Sequence, residues 1–239
     1  MRFKPILFST EMVRAILEGR KTQTRRIIKP QPVDVGTMPI RASFGHYLPD
    51  DFEWPTKRPG VTIVSNKRKG PDNYVEKMAP WKVGDVLWVR ETWGILQPTH
   101  ATPGGRPYDG AYYFRADGDE SPHWTEGTFE WSGWKPSIHM PKSACRIFLQ
   151  ITDIRVERLQ DISEEDAKAE GVLLHERGKH WLNYQDRKAA VTQFVYSCDT
   201  AKKSFQTLWD MINGWHSFDE NHWVWAISFA RIDKPEGFV

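Results

Sequence analysis

Short apolar runs limit what this chain can fold into. The runs with strand-like composition are brief, are separated by loops rich in Gly and Pro, and do not alternate regularly with helical patterns. A doubly wound parallel sheet requires that alternation. We therefore predict an α+β fold, with a small mixed β-barrel and short flanking helices.

Five segments carry the strand predictions. They are residues 61–64, 86–90, 111–115, 146–159 and 223–229. The fourth segment shifts the phase of its apolar alternation near Asp153, which indicates either one long strand with a bulge or two strands.

Three helices are predicted, each ending at a glycine. Apolar residues at helical spacing place the first at about residues 10–18 and the third at about 205–213. The second, at about 163–170, is predicted from Ser163 as N-cap and from the acidic residues of its first turn, and the first helix also has an N-cap candidate in Ser9 or Thr10. The glycines that follow are suited to the positive φ found just after a helix.

Length and cysteine content indicate a single intracellular domain. The chain has 239 residues and two cysteines, too few for a disulfide framework. No apolar run reaches the roughly 18 residues of a membrane span, and the N-terminus lacks the apolar run of a signal peptide. We expect a cytoplasmic monomer without a membrane partner, with residues 1–239 as one domain carrying insertions at about 29–80, 94–137 and 173–202.

The excess of positive charge is concentrated in the first 70 residues. Residues 1–70 hold 14 Lys and Arg against 6 Asp and Glu, whereas the whole chain has a net charge of only +2. A basic first third is typical of proteins with anionic or nucleotide-like partners. A solvated basic face explains the same pattern equally well.

Residues 19–26 form a basic segment that also contains hydroxyl side chains, which makes it a candidate for a functional site. Four cations and two hydroxyls fall within eight residues, directly after the first predicted helix. Spacing alone favours a basic surface loop. The eight His and two Cys show no metal-ligand spacing, so no metal site is predicted.

Several motifs resemble the ASCH domain family, a relative of the PUA RNA-binding domains. The residues that show the resemblance are Gly19-Arg20-Lys21-Thr22-x-Thr24-x-Arg26 and the segments 84–87, 159–171 and 223–229. Segments 113–117 and 134–141 are similar to parts of a longer, phage-type form of the domain. Residues 29–80 and 173–202 match least. The resemblance implies a PUA-like β-barrel with flanking helices.

The resemblance also implies an activity. Some small bacterial members are N4-acetylcytidine amidohydrolases that use a Lys, a Thr and a distant Glu, which correspond here to Lys21, Thr24 and Glu170. The implied reaction removes the acyl group from N4-acylated cytidine or cytosine, with a nucleoside or modified base as ligand and no cofactor. A non-catalytic RNA-binding module and a ribonuclease on the same fold are the alternatives.

The chemistry sets conditions on these three residues. Lys21 can activate the Thr24 hydroxyl only as a neutral amine, and burial together with nearby arginines would lower its pKa. The end of a helix would raise the pKa of Glu170 and suit it to donate a proton. Residues 21 and 24 point to opposite faces of a regular strand, so we expect an irregular loop at 20–25.

A nucleobase needs a flat surface and polar partners. The candidates for stacking are Trp93, Tyr113 and Trp134. The candidates for polar contacts are Arg90, Glu91, Arg115, Ser137 and His139, with Arg26 as a further candidate to stabilise the oxyanion.

Overall fold

The computed structural model describes most of the chain. The described residues are 1–29, 31, 33–34, 51–55, 62–66, 79–98, 111–118, 129–175, 178–185 and 196–238. Within these ranges no helix is long and apolar enough to cross a membrane.

Strands dominate the fold and short helices flank them, which confirms the α+β class. The strands are β1 (Phe3–Leu7), β2 (Gln23–Ile27), β3 (Val33–Asp34), β4 (Asp51–Pro55), β5 (Thr62–Asn66), β6 (Val86–Arg90), β7 (Trp93–Pro98), β8 (Ala111–Phe114), β9 (Phe129–Trp131), β10 (Phe148–Arg158), β11 (Trp181–Leu182), β12 (Tyr196–Cys198) and β13 (Trp223–Ile232). The helices are α1 (Thr10–Leu17), α2 (Glu164–Ala169) and α3 (Ala201–Asn213).

The chain divides into two compact units, each assembled from separated segments. The first unit comprises Met1–Lys21, Gly84–Ile151 and Phe229–Val239. The second unit comprises Thr22–Val83 and Thr152–Ser228. The single domain over residues 1–239 stays a prediction.

The first unit has a mixed sheet and its own core. Strand β1 pairs in parallel with β6, and β6 pairs antiparallel with β10. A second sheet has the order β8-β7-β9 and lies in the predicted insertion at 94–137. The core residues come from several elements: Val86, Trp93, Ile95, Met140, Ala144, Cys145, Phe148 and Phe238.

The second unit is built around α3. Strand β13 pairs antiparallel with β2 and also neighbours β10. Short sheets β3-β4-β5 and β11-β12 complete its strands; they fall in the predicted insertions 29–80 and 173–202, whose other parts lie largely outside the described residues. The buried face of α3 includes Phe205, Leu208 and Trp209, which pack with Leu159, Ile162 and Val224.

Each predicted helix and strand has an observed counterpart. Of the two alternatives for residues 146–159, the structure has the single long strand, β10, over Phe148–Arg158. Helix α3 begins at Ala201, one turn before the predicted start, because the Thr200 side chain accepts a hydrogen bond from the backbone N–H of Lys203 and caps the helix there.

Gly94 on β7 allows the Trp131 ring to lie directly against the strand backbone. A Cβ atom added at Gly94 would lie 2.0 Å from Cη2 of Trp131. We expect Gly94→Ala to lower the free energy of unfolding by about 1–3 kcal/mol, because the ring must move. Urea denaturation measures this, with Gly118→Ala as control, since a Cβ there meets nothing within 4 Å. Equal stability of the two variants would contradict this packing.

Candidate functional site

Lys21 is held by the end of helix α1 in the first unit. The backbone N–H of Lys21 donates to the carbonyl of Ala15, and Gly19 makes the turn with a φ of +76°. The side chain is only 2% exposed, and its Nζ lies 5.8 Å from the centroid of the Phe8 ring. Lys21 therefore does not belong to a solvated basic loop.

Thr24 lies in a regular strand, so the expected irregular loop at 20–25 is wrong for residues 23–25. Strand β2 starts at Gln23, and Thr24 pairs with Ile227 of β13. Gln23, Thr24 and Arg25 are all buried, so β2 is covered on both faces. Pairing with β13 supplies the backbone hydrogen bonds that make the strand regular.

Glu170 caps the C-terminus of α2. Ser163 is the N-cap of the helix, and its Oγ accepts a hydrogen bond from the backbone N–H of Asp166. After Glu170 the chain turns at Gly171, which has a positive φ. The backbone N–H of Thr22 donates to the carbonyl of Ala169 at 2.8 Å, which ties the approach to β2 to the end of α2. The Glu170 side chain is 4% exposed.

Arg25 connects three carboxylates in the second unit. One guanidinium nitrogen lies 3.1 Å from Oε1 of Glu170, and another lies 3.0 Å from Oδ2 of Asp166. Its Nε donates to Oε1 of Glu157 at 2.8 Å. The Arg25 side chain is fully buried, and a buried charge requires such partners.

The charges around Glu170 also affect the two arginines of β2. Burial lowers the pKa of Arg25, whereas the charges of Glu170, Glu157 and Asp166 raise it. Together the three acids outweigh burial, so the pKa lies above the ordinary value. Burial lowers the pKa of Arg26, and the charge of Glu170 opposes this change. Arg26 therefore lies within electrostatic reach of Glu170.

Glu91, predicted to contact substrate, is buried and forms an ion pair with the half-buried Arg146 in the first unit. Both of its carboxylate oxygens accept hydrogen bonds from Arg146, at 3.0 and 3.1 Å. Burial raises the pKa of Glu91, and the bonds and charge of Arg146 reduce that rise. Arg146 also pairs with Asp117 and lies 4.0 Å from the centroid of the Phe114 ring.

Two of the three predicted stacking residues contact the same aromatic ring, that of Trp131. Tyr113 and Trp134 each make an edge contact with Trp131, at centroid distances of 5.7 and 5.2 Å. All three rings are partly buried. Trp93 instead lies in the core at 2% exposure, beside Tyr112, so the structure places it with the packing residues.

The remaining polar candidates lie elsewhere in the first unit. Arg90 donates to the carbonyl of Ile138 and lies 5.5 Å from the Trp88 ring centroid. Ser137 and His139 are the ends of one 3₁₀ turn, and His139 is exposed. Arg115 is exposed, and its carbonyl accepts a hydrogen bond from Arg14.

Sequence reasoning missed the partners that organise these residues. Glu157 and Asp166 hold Arg25, Arg146 holds Glu91, and Trp131 joins Tyr113 to Trp134. The signal available in the sequence was the acidic first turn of α2, which contains Asp166. It indicates the start of a helix, and acidic residues are rarely buried unless they are paired.

The two cysteines have the environment of structural thiols. Neither forms a disulfide, both are buried, and Cys145 donates to the carbonyl of Ile147. Burial raises the pKa of Cys145 to about 11, although its hydrogen bonds to the backbone lower it. At neutral pH this keeps it protonated and unreactive. Among the described His, Cys, Asp and Glu residues, no group of three is arranged to hold a metal ion.

We expect neither cysteine of the folded protein to react with a thiol reagent at about pH 8, because only the thiolate reacts. Two thiols should react after unfolding in denaturant. The measurement is the number of modified cysteines by mass spectrometry. Rapid native modification of Cys145 would contradict the raised pKa.

Comparison of the chain with protein-family models, curated proteins and solved structures finds no match.

Proposed function

We propose that the chain is an amidohydrolase of the ASCH type, with a PUA-like fold, that removes the acyl group from N4-acylated cytidine or cytosine. The observation that carries the proposal is the burial of all three residues of the motif. Lys21 and Thr24 are 2% exposed and Glu170 is 4% exposed. A basic surface loop would leave these polar side chains in water.

Burial of these residue types has a cost that a function would explain. Lysine and glutamate are among the residues least often fully buried, and removing an ammonium group from water disfavours its charged form. The same effect favours the neutral amine that a proton acceptor must have. Ionisable groups in such environments are concentrated at functional sites.

In the proposed reaction, Lys21 takes the proton of the Thr24 hydroxyl while the oxygen attacks the acyl carbonyl carbon. Arg26 stabilises the resulting oxyanion. The carbon–nitrogen bond then breaks, and Glu170 supplies a proton to the departing N4 nitrogen of cytosine. Water hydrolyses the acyl-threonine ester, which releases the carboxylic acid and restores the threonine hydroxyl. Lys21 then loses its added proton to solvent and Glu170 regains one, which returns the residues to their starting states.

The aromatic cluster of the first unit supports a second candidate, a non-catalytic RNA-binding module. Tyr113, Trp131 and Trp134 are partly buried rings in mutual contact. Aromatic side chains of this kind stack on nucleobases, with a contribution of about 1–3 kcal/mol per base.

Parallel assays at increasing salt concentration separate the two candidates. For the amidohydrolase we expect cytidine release from N4-acetylcytidine at a rate nearly independent of salt, because the substrate is neutral. An RNA-binding module would release no cytidine, and its affinity for single-stranded RNA would fall steeply with salt as counterions are released. Absence of cytidine release by the purified protein would overturn the proposed activity.

A further inference from the structure

A small cavity lies at the C-terminal end of α3, within the second unit. Its volume is about 90 Å³, and it is lined by Gln185, Asp210, Met211, Gly214 and Trp215. Pockets for drug-sized ligands have volumes of about 300–1,000 Å³. The cavity therefore has room for the end group of a ligand rather than for a whole nucleoside.

Asp210 contributes a buried carboxylate to this cavity. The residue is 7% exposed, and its described partners are uncharged donors. Its Oδ1 accepts hydrogen bonds from the Oγ of Ser217 and the backbone N–H of Phe218, and its Oδ2 accepts one at 3.3 Å from Nε2 of Gln185. A carboxylate oxygen can accept two hydrogen bonds, and a buried carboxylate is normally paired with a cation. A cationic donor in the cavity would supply that partner at Oδ2.

The charge around the cavity favours a cation over an anion. Residues 204–230, the segment that supplies four of the five lining residues, contain three acids but no Lys or Arg. The cavity also lies at the negative end of the α3 dipole, and the sequence of the last turn of α3 contains no basic residue. A nucleotide would bring phosphate into this field, so a positively charged group is the better match.

Trp215 supplies an aromatic ring to the same cavity. The residue is 75% exposed, so its indole is accessible to a ligand. A guanidinium group is planar and weakly hydrated, stacks on aromatic rings and donates N–H groups from its edge, whereas an ammonium group is compact and strongly hydrated. The combination of one indole with one carboxylate therefore favours a guanidinium over an ammonium.

We propose that this cavity binds a guanidinium group, which donates an N–H to Oδ2 of Asp210 and stacks on the Trp215 ring. The guanidinium is that of arginine, as the free amino acid or as a side chain of a partner protein. The site is independent of the proposed amidohydrolase reaction, because none of its lining residues belongs to that motif.

The experiment follows the indole N–H signal of Trp215 by NMR in protein labelled with ¹⁵N-tryptophan, where Trp215→Phe identifies the signal by its loss. The guanidinium probes are ethylguanidinium, free arginine and the peptide acetyl-Gly-Arg-Gly-amide. Ethylammonium and acetyl-Gly-Lys-Gly-amide are the matched ammonium probes, all at constant ionic strength. We expect saturable shifts with the guanidinium probes and affinities about fivefold or more below theirs for the ammonium probes.

Asp210→Asn tests the carboxylate. Asparagine keeps an oxygen that can accept from Ser217 and Phe218 but removes the charge, so we expect the affinity for the arginine peptide to fall about tenfold or more. Asp219→Asn is the matched control, because it removes one charge from an acid that is 60% exposed and does not line the cavity. That variant should change the affinity less than about twofold.

Trp215→Ala covers the case in which Asp210→Asn does not fold, because Trp215 is mostly exposed. The methyl signal of Met211, in protein labelled with ¹³C-methyl methionine, reports binding to this variant. We expect the affinity for the arginine peptide to fall about threefold or more, because the stacking surface is lost.

The outcomes test the site and identify the source of the guanidinium. Tighter binding of the peptide than of free arginine would point to a partner protein, and the reverse to the amino acid; both results support the site. No shift with any guanidinium probe, equal affinity for the ammonium probes, or equal weakening in Asp210→Asn and Asp219→Asn would overturn the proposal.

Discussion

Thr24→Val should remove hydrolysis of N4-acetylcytidine almost completely, with a fall in kcat of about a thousandfold or more, as expected when a nucleophile is deleted. Valine has nearly the shape of threonine, and Thr24 is buried in a regular strand, so the strand should persist. The measurement is the initial rate of cytidine release, with the fold checked by circular dichroism.

The control is Thr24→Ser, which keeps the hydroxyl and should keep measurable activity. Lys21→Met and Glu170→Gln should lower kcat by about 10²–10⁴-fold, the contribution usual for a proton-transferring group. Wild-type rates in Thr24→Val would remove the covalent step from the mechanism.

Arg25→Met should destabilise the protein by about 3–5 kcal/mol, because removal of one partner leaves buried carboxylates without compensation. The Arg25 side chain is fully buried, and its contact acid Glu170 is 4% exposed. Urea denaturation gives the free energy of unfolding.

Arg155→Met is the matched control for stability. Its side chain is 42% exposed, and exposed ion pairs contribute about 0–1 kcal/mol. A loss at Arg25 no larger than the loss at Arg155 would show that the carboxylates do not depend on Arg25.

Local elements were predictable where the signal lies within a few residues. Helix α1 shows this: the Oγ of Ser9 accepts the backbone N–H of Met12, and Gly19 takes the positive φ that the sequence suggested. The full extent of α3 was missed, although Thr200 is a good N-cap, because the buried face of its first turn carries only the small residues Ala201 and Ser204.

The environment of the candidate site depends on contacts that are distant in sequence. Strand β2 is regular because it pairs with β13, about 200 residues away. Arg25 meets Glu157 and Glu170 across 132 and 145 residues. Periodicity cannot report such pairings, so the sequence did not show that Thr24 lies in a regular strand.

The tryptophans show the same division. Trp88, Trp209, Trp223 and Trp225 lie on segments with strand or helix periodicity. The last three are buried, and Trp88 is half-buried against the core of the first unit. Trp93, a candidate for stacking, is buried in that same core, so its position beside a motif did not reveal its packing.

The rate of cytidine release from N4-acetylcytidine by the purified wild-type protein tests the central claim most directly. Our account predicts release in proportion to enzyme concentration and its loss in Thr24→Val. Release no faster than in buffer alone, from a folded protein that binds single-stranded RNA, would contradict it.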